Sequence, residues 1–369
     1  MTWKLLQNGQ HTPYSMARSL LSFIAFFALL VVSHASDWVL YSIGGRDYVA
    51  MRNVAEFYGL GNVRSTGNEV VVSSNTRSLR AYAGSAEFYI NNLKFILSYP
   101  IQEHNGQLCI SRMDLVKLVE PVMRPSRIKN SVPITTVVLD AGHGGHDSGA
   151  TSIYGAEKSY TLDTVFRAKE LLQAAGYKVV LTRSGDYFVP LDDRASIASA
   201  QKSAIFISIH FNHGGMGTGV EAYTLAPCGV PSMMADGPAV SDFNDCKGNA
   251  RDQENMALAT ASHAALVMKT RMFDRGLKRA RFVVIRDITI PGVLIEGGFL
   301  SNPTDAKLIA TPAYRQTLAA SVLQAVENYR KAVGTQSGPV VDTKPAAGKT
   351  PPKAPSKPAP IEPPKVETN

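Results

Sequence analysis

Four separated segments of this 369-residue sequence each carry a residue that can bind a metal or work beside one. These residues are His143, Glu157, His210 and Glu296, and three of the segments are β-branched runs that end at the polar residue. Open α/β sheets bind ligands at the carboxyl ends of their strands. Two histidines and one carboxylate are a common ligand set of catalytic zinc, which keeps a fourth position open for water. We therefore predict one zinc ion per chain, with Glu296 left free to move protons.

A site of this composition favours metal-assisted hydrolysis. Neutral imidazoles and one carboxylate leave a net positive charge, so the pKa of a bound water falls from about 15.7 to about 7. Glu296 would take the water proton and return it to the leaving nitrogen. Alternatively, Glu296 caps a helix or pairs with Arg286. Asp140 either orients a ligand histidine or bonds to the backbone of the following turn.

The order and spacing of these motifs resemble a known family. Glycines around His143 let the backbone approach an ion or a substrate closely. Over roughly residues 133–331 the sequence is similar to zinc-dependent N-acetylmuramoyl-L-alanine amidases of the Amidase_3 type. The segments that carry the resemblance are Leu139–Ala150, Glu157–Lys158, Leu181–Arg183, Leu191 with Arg194, Ser208–Asn212, Gly219–Tyr223 and Glu296–Asn302.

The resemblance implies specific roles for residues of this chain. Zinc would be held by His143, Glu157 and His210, with Glu296 catalytic, and the substrate would be the amide between N-acetylmuramic acid and L-alanine in peptidoglycan. His146, in a variable slot, and His213, in place of a small residue, depart from the usual pattern without touching a ligand position.

Three further residues are candidates for the surroundings of the site. Asn212 lies in the motif of His210 and is a candidate for the second shell or for substrate contact. Arg183 and Arg194 either clamp substrate carboxylates or pair with nearby acids, which are Asp186, Asp192 and Asp193.

Two other functions are weighed against the amidase. A wall-binding protein that kept the fold but lost catalysis would lack a ligand or Glu296, and all four residues are present. In a nucleotide-binding enzyme the glycine loop would bind phosphate, but the Lys-Ser/Thr ending of the P-loop is missing. We expect peptidoglycan and no nucleic acid as partner, and the sequence carries no signal for or against an activator protein.

The first 35 residues predict export. Lys4 and Arg18 precede an apolar stretch from Leu20 to Val32, and Ser33-His34-Ala35 then offers small residues at the positions that a signal peptidase reads. This stretch of 13 residues is shorter than the ~20 that span a bilayer, so residues 1–35 read as a cleaved signal peptide rather than a permanent anchor. The expected location is the periplasm, cell envelope or extracellular space. The net charge is +8, which suits a polyanionic wall or a plain solvated surface.

Residues 37–123 predict a small α+β domain. Short alternating segments indicate strands at 38–43, 48–50, 69–73, 78–82 and 87–90, with a helix near 113–119. Gly44–Val49, Asn91–Leu93 and Asp114–Leu115 loosely resemble the stalk-type domain of copper amine oxidase N-termini. Such a domain is either a spacer or a wall-binding module. Pro121, Pro125 and Pro133 mark a linker at about residues 124–133.

Residues 134–332 predict an α/β catalytic domain with a mostly parallel sheet and helices on both faces, because strands and helices alternate. Gly176 is expected to end the first helix. The predicted strands are 135–140, 177–182, 204–209, 219–225, 282–286 and 293–296. The predicted helices are 159–174, 191–201, 255–272 and 312–331.

Two segments fall outside this alternation. The loop 226–254 is long enough to suggest a function, such as folding over the zinc or walling a peptide groove. Cys228 and Cys246 lie within it and either form a bridge or remain free thiols; neither has the closely spaced partners of a zinc ligand. Residues 334–369 are rich in proline and lysine and predict a disordered tail.

Overall fold

The computed structural model describes residues 38–129, 131, 133–234 and 237–334. The predicted signal peptide and the tail beyond residue 334 lie outside these described residues. Within the described part, no helix combines the length and the apolar character needed to cross a membrane.

The N-terminal region, residues 38–123, is built mainly from short antiparallel strands. In Glu69–Ser73, Val70 and Val72 are buried and the residues between them are half-buried, as expected for a strand with one face on a core. The predicted strands 69–73, 78–82 and 87–90 have these same bounds in the structure. The strands are β1 (Leu40–Ile43), β2 (Arg46–Ala50), β3 (Asn62–Thr66), β4 (Glu69–Ser73), β5 (Ser78–Tyr82), β6 (Glu87–Ile90), β7 (Leu93–Ile96), β8 (Gln102–His104) and β9 (Gln107–Ser111).

Two helical segments complete this region. Helix α1 (Met51–Phe57) follows β2 directly. The second segment joins α2 (Arg112–Asp114), a π-helical turn (Leu115–Val119) and α3 (Glu120–Met123), and it contains the helix predicted near 113–119. Pro121 lies in the first turn of α3 and Pro125 begins a 3-10 turn, Pro125–Arg127.

Strands and helices alternate in the remainder of the chain. The strands are β10 (Thr136–Ala141), β11 (Thr151–Ser152), β12 (Gly155–Ala156), β13 (Lys178–Leu181), β14 (Ala204–Asn212), β15 (Val220–Leu225), β16 (Asp274–Ala280) and β17 (Gly292–Phe299). The helices are α4 (Glu157–Ala174), α5 (Leu191–Ser199), α6 (Asp252–Thr270), α7 (Val283–Arg286), α8 (Pro303–Ile309) and α9 (Pro312–Gly334). Helix α4 ends two residues before Gly176, which has a φ of +89° and leaves the helix as predicted.

One eleven-stranded sheet runs through both halves of the molecule, in the order β13-β10-β14-β17-β15-β16-β7-β6-β5-β4-β3. Strands β13, β10, β14 and β17 are parallel, as are β15 and β16, and the two groups meet in an antiparallel pair. The prediction of an α/β fold with a mostly parallel sheet in the C-terminal half is therefore confirmed.

Helices cover the sheet on both faces because its central strands are apolar on both sides. All six residues of β10 are buried. Val137 and Leu139 belong to a large core with Val165 of α4 and Leu318 of α9, whereas other apolar side chains of the strands face a smaller core. This second core joins Val138 to residues of α5 and α7, which include Ala195, Ala198, Val284 and Ile285.

The predicted strand 282–286 is wrong. Its β-branched residues form the short helix α7, and the strand that enters the sheet is β16, which begins eight residues before the predicted strand. Strand β16 reads Asp-Arg-Gly-Leu-Lys-Arg-Ala, and its charged side chains hide the apolar alternation on which the prediction relied. Several of these charged side chains form ion pairs inside the protein, among them Arg279 with Asp114 and Lys278 with Glu221.

The two halves meet at one parallel strand pair, β7 with β16, in which Phe95 lies beside Leu277. Strands that precede residue 124 and strands that follow residue 133 therefore belong to one sheet. A division into domains 37–123 and 134–332 with a linker between them stays a prediction.

Candidate metal centre

The first ligand candidate, His143, lies in the loop after β10. Its φ is +61°, a left-handed conformation that a residue with a side chain seldom adopts. Glycines let this loop pass close to the other candidates. A Cβ on Gly142 would lie 2.3 Å from Cε1 of His210, and one on Gly149 would lie 2.5 Å from Oε2 of Glu157. Neither position accommodates a side chain.

His143, Glu157 and His210 converge, although they come from a loop, the start of α4 and the end of β14. Nε2 of His143 lies 3.1 Å and Nδ1 of His210 lies 3.0 Å from Oε1 of Glu157. One ligand atom from each residue lies within 4.8 Å of the others, which makes the group a candidate metal site. Two nitrogens and one oxygen are donors that suit zinc. The residues thus fit the predicted ion, and their role as ligands stays a prediction.

Glu157 is held on both oxygens. Its Oε2 accepts a hydrogen bond of 2.8 Å from the amide of Ala150, and its Oε1 accepts one of 3.0 Å from the amide of Phe211. Burial raises the pKa of Glu157, but hydrogen bonds and charge from His143 and His210 outweigh it and hold the pKa well below its ordinary value. The carboxylate is therefore ionised and fixed in place.

A partner of His143 that the sequence analysis missed is Asp147. Its Oδ2 lies 2.8 Å from Nδ1 of His143, and its Oδ1 accepts a 3.0 Å hydrogen bond from the amide of Gly149. Burial lowers the pKa of His143. Hydrogen bonds and charge from Glu157 and Asp147 raise it by more than burial lowers it, so the pKa lies above its ordinary value. A carboxylate on the far nitrogen of a ligand histidine fixes the ring and its tautomer. Asp147 four residues after His143 was the available signal.

Glu296 lies opposite His210 in the pairing of β14 with β17 and opposite Glu221 in the pairing of β15 with β17. Its Oε2 is buried without a hydrogen-bond partner among the described residues. Burial and the neighbouring carboxylates of Glu157 and Glu221 raise the pKa of Glu296 well above its ordinary value, against a lowering by Lys278. Arg286, the alternative partner, pairs instead with Asp287 at 2.6 Å.

Glu221 organises the polar groups beside Glu296. Its Oε1 accepts hydrogen bonds of 2.6 Å from Nδ2 of Asn212 and 2.7 Å from the hydroxyl of Tyr223. Its Oε2 accepts from Lys278 and, at 3.0 Å, from Nε of Arg275. Asn212 is therefore placed between the segment of His210 and this network.

Asp140, Arg183 and Arg194 lie beneath the glycine loop. Asp140 accepts hydrogen bonds from Nη1 of Arg194 at 2.8 Å, Ser208 at 2.7 Å and Thr182 at 2.6 Å. Arg183 donates to the carbonyls of Ala141, Gly142, Lys158 and Gly185, and Arg194 donates to those of Val189, Ala141 and His143. Both arginines are buried, so they brace the loop and do not pair with Asp186, Asp192 or Asp193.

His146 and His213 lie apart from the cluster, as expected from their positions in the motifs. The ring of His146 lies 4.4 Å from that of Phe188. The backbone amide of His213 donates to Oδ1 of Asn212.

The loop 226–254 contains two 3-10 turns, Val240–Phe243 and Lys247–Arg251. Cys228 and Cys246 are free thiols, so the structure lacks the bridge that the sequence left open between these two described residues. Arg281 holds the loop by donating to the carbonyls of Pro227, Val230 and Asp242.

Comparisons with known proteins define the class of this chain. Residues 137–328, just over half of the chain, match the model of the Amidase_3 family, described as N-acetylmuramoyl-L-alanine amidase. The chain belongs to this family.

Several individual proteins are similar to this chain. The chain is 34% identical over 197 residues to the probable cell wall amidase LytH of Staphylococcus epidermidis, a match that covers 53% of this chain and 58% of that protein. It is 30% identical over 244 residues to the N-acetylmuramoyl-L-alanine amidase AmiA of Escherichia coli, covering 60% of this chain and 84% of AmiA. The solved catalytic domain of CwlV, from Bacillus (Paenibacillus) polymyxa, is 29% identical, with a TM-score of 0.45 and coverage of 54% and 99%.

Proposed function

We propose that this chain is a zinc-dependent hydrolase of the amide bond between N-acetylmuramic acid and L-alanine in peptidoglycan. The observation that carries the proposal is the convergence of His143, Glu157 and His210 beside Glu296, in a chain of the Amidase_3 family. Relatives described as N-acetylmuramoyl-L-alanine amidases support the choice of substrate.

The donor set decides which cofactor fits. His143 and His210 would each offer a ring nitrogen and Glu157 a carboxylate oxygen, a donor set that suits catalytic zinc and would leave a position for water. Bound there, zinc would supply a strong nucleophile at neutral pH, because it lowers the pKa of water, and it would polarise the amide carbonyl. Asp147 would keep the ring of His143 in its ligand orientation.

Glu296 is the proposed proton carrier. Its Oε2 has no partner among the described residues, so this oxygen is available to accept a proton and to return it to the leaving nitrogen. Glu221 is a poorer candidate, because its two oxygens accept four hydrogen bonds. Asn212 and Tyr223 would keep Glu221 beside Glu296 and would thereby maintain the polar environment of the proton carrier.

The same proposal covers location and organisation. An exported protein with a signal peptide at 1–35 would meet peptidoglycan in the periplasm or outside the cell. Residues 37–123 would form a stalk-like domain, residues 134–332 the catalytic domain, and residues 334–369 an extended tail along the wall. The LytH match spans only 58% of that protein, so the comparison supports the catalytic half rather than the whole chain.

The alternative is an inactive wall-binding protein on the amidase fold. Loss of catalysis would be expected to remove a ligand or Glu296, and all four side chains are present and brought together. We therefore favour the enzyme.

The proposal is tested by digesting purified peptidoglycan with the zinc-loaded protein and identifying the new ends by mass spectrometry. We expect free peptides with an N-terminal L-alanine and about one zinc per chain. His143→Ala, Glu157→Ala and His210→Ala should each lose zinc and activity together. Intact wall in the presence of bound zinc would favour the inactive wall-binding protein, and normal zinc content in one variant would remove that residue from the ligand set.

A further inference from the structure

Strand β16 connects the N-terminal region to the candidate site. The side chain of Lys278 bonds to Glu221 beside Glu296, and the side chain of Arg279 bonds to Asp114 in the N-terminal region. The carbonyl of Arg279 accepts a 3.0 Å hydrogen bond from the amide of Met233, in the long loop. Two successive residues therefore contact the site, the loop and the N-terminal region.

Asp114 fixes two of these elements at once. It is fully buried, and its Oδ1 accepts hydrogen bonds of 2.8 Å from Nη1 of Arg279 and 2.9 Å from the amide of Ser98. Its Oδ2 accepts one of 3.2 Å from the amide of Tyr99. The backbone of Tyr99 is thus held against β16 by the same carboxylate that pairs with Arg279.

Tyr99 in turn contacts the long loop. Its hydroxyl donates a 2.9 Å hydrogen bond to the carbonyl of Gly229. Residues 227–234, which we term the proximal loop, also receive two hydrogen bonds from Arg281, at 2.8 Å to Pro227 and 3.1 Å to Val230. The proximal loop is therefore anchored on one side by the catalytic half and on the other by the N-terminal region.

The far end of the proximal loop reaches the candidate site. The hydroxyl of Tyr223 lies 3.6 Å from Sδ of Met234 and donates a 2.7 Å hydrogen bond to Glu221. Met233 is 43% and Met234 59% exposed, so they present apolar surface next to this network. A displacement of the proximal loop would change that surface.

We propose that Tyr99 is a positioning residue, through which the N-terminal region holds the proximal loop as a wall of the substrate groove. This inference rests on the proposed amidase function for its effect on substrate, but not for its effect on the loop. The N-terminal region then has a role in the shape of the groove, whether or not it also binds the wall.

The test compares two full-length, zinc-loaded variants, each of which loses one tyrosine hydroxyl. Tyr99→Phe removes the hydroxyl that reaches Gly229 and keeps the ring, over which Arg46 lies at 4.3 Å. Tyr89→Phe is the matched control. Its hydroxyl bonds to Glu87 at 3.0 Å, and Arg80 lies over its ring at 4.4 Å, both within the N-terminal region.

Hydrogen exchange reports on the loop directly. In Tyr99→Phe the amides of Gly229, Val230 and Met233 should exchange about 2- to 10-fold faster than in the parent protein, the range expected for one lost hydrogen bond. The KM for polymeric peptidoglycan should rise by a similar factor, with kcat and zinc content little changed. Tyr89→Phe should leave both quantities at parental values.

Three outcomes would overturn the inference. One is equal exchange of the proximal loop in the two variants, and another is faster exchange with no change in KM. The third is a fall in kcat alone, which would indicate a general loss of structure. If the parent protein cleaves no amide at all, the proposed function fails, and the exchange measurement still decides whether Tyr99 holds the loop.

Discussion

Two carboxylates on neighbouring parts of the same sheet have opposite surroundings. Asp140, at the end of β10, accepts hydrogen bonds from Arg194, Ser208 and Thr182. Glu296, two strands away on β17, has a buried oxygen with no partner among the described residues. Burial raises the pKa of Asp140, but Arg194 and the two hydroxyls outweigh it, so this pKa is lowered, whereas that of Glu296 is raised.

The contrast is the one expected if Asp140 supports the fold and Glu296 carries protons, as proposed above. A buried carboxylate with a hydrogen-bond partner on each oxygen is held in one position and in its ionised form. A carboxylate beside two others, with a vacant acceptor, lowers stability and gains a proton affinity suited to catalysis. One edge of the sheet thus carries two carboxylates whose pKa values are shifted in opposite directions.

Removing Asp140 should produce the largest effect. Asp140→Ala leaves the buried guanidinium of Arg194 without its carboxylate, and we expect the free energy of unfolding to fall by about 3–5 kcal/mol in urea titrations. Asp193→Ala, at the exposed start of α5, is the control and should cost within about 1 kcal/mol. Since the pKa of Asp140 is lowered, its contribution is complete above about pH 3.9 and is lost as the pH falls toward the folded-state pKa. A loss near that of the control would show that Arg194 needs no counter-charge.

Glu296→Gln should lower turnover and leave the stability of the fold intact. The amide keeps the size of the side chain but cannot accept a proton, so turnover should fall by ~10²-fold or more while zinc stays bound. The metal-free variant should be at least as stable as the parent, because Oε2 has no hydrogen bond to lose. Substantial activity would remove Glu296 from proton transfer, and loss of zinc would make it a ligand.

Asp147→Ala should have a smaller effect than either of the two preceding substitutions. Without its partner, the ring of His143 is free to turn, and we expect zinc affinity to weaken by about 10–100-fold in a chelator competition. His146→Ala, in the same loop, removes a ring that packs at a tilt against Phe188 and should leave zinc affinity unchanged. Equal affinities in the two variants would show that the backbone of the glycine loop alone orients His143.

The sequence was sufficient to predict the residues that meet at the sheet edge. The strands before Asp140, His210 and Glu296 are apolar on both faces, and such strands belong to the centre of a parallel sheet. Once they are adjacent, their polar ends must lie close together, and Glu157 follows from its motif. Boundaries of β4, β5 and β6 were equally accessible, because their side chains alternate cleanly between core and surface.

Contacts between residues far apart in the sequence could not be predicted from the sequence. Arg279 and Asp114 are separated by 165 residues, and only the packed structure shows that the charges of β16 neutralise buried acids. For the same reason Phe95 beside Leu277, the contact that makes one sheet of two halves, has no local signal. Asp147 as the partner of His143 depends on the left-handed turn at His143, which glycine-rich neighbours permit but do not specify.

That turn has a consequence for how the protein tolerates change. A histidine with a φ of +61° carries a backbone cost of order 1–3 kcal/mol that glycine in its place would not. Selection for heat resistance alone would therefore tend to discard the imidazole, whereas selection for metal-dependent work would retain it. Under the proposed function, this backbone cost is the stability that the chain gives up to place a metal ligand at residue 143.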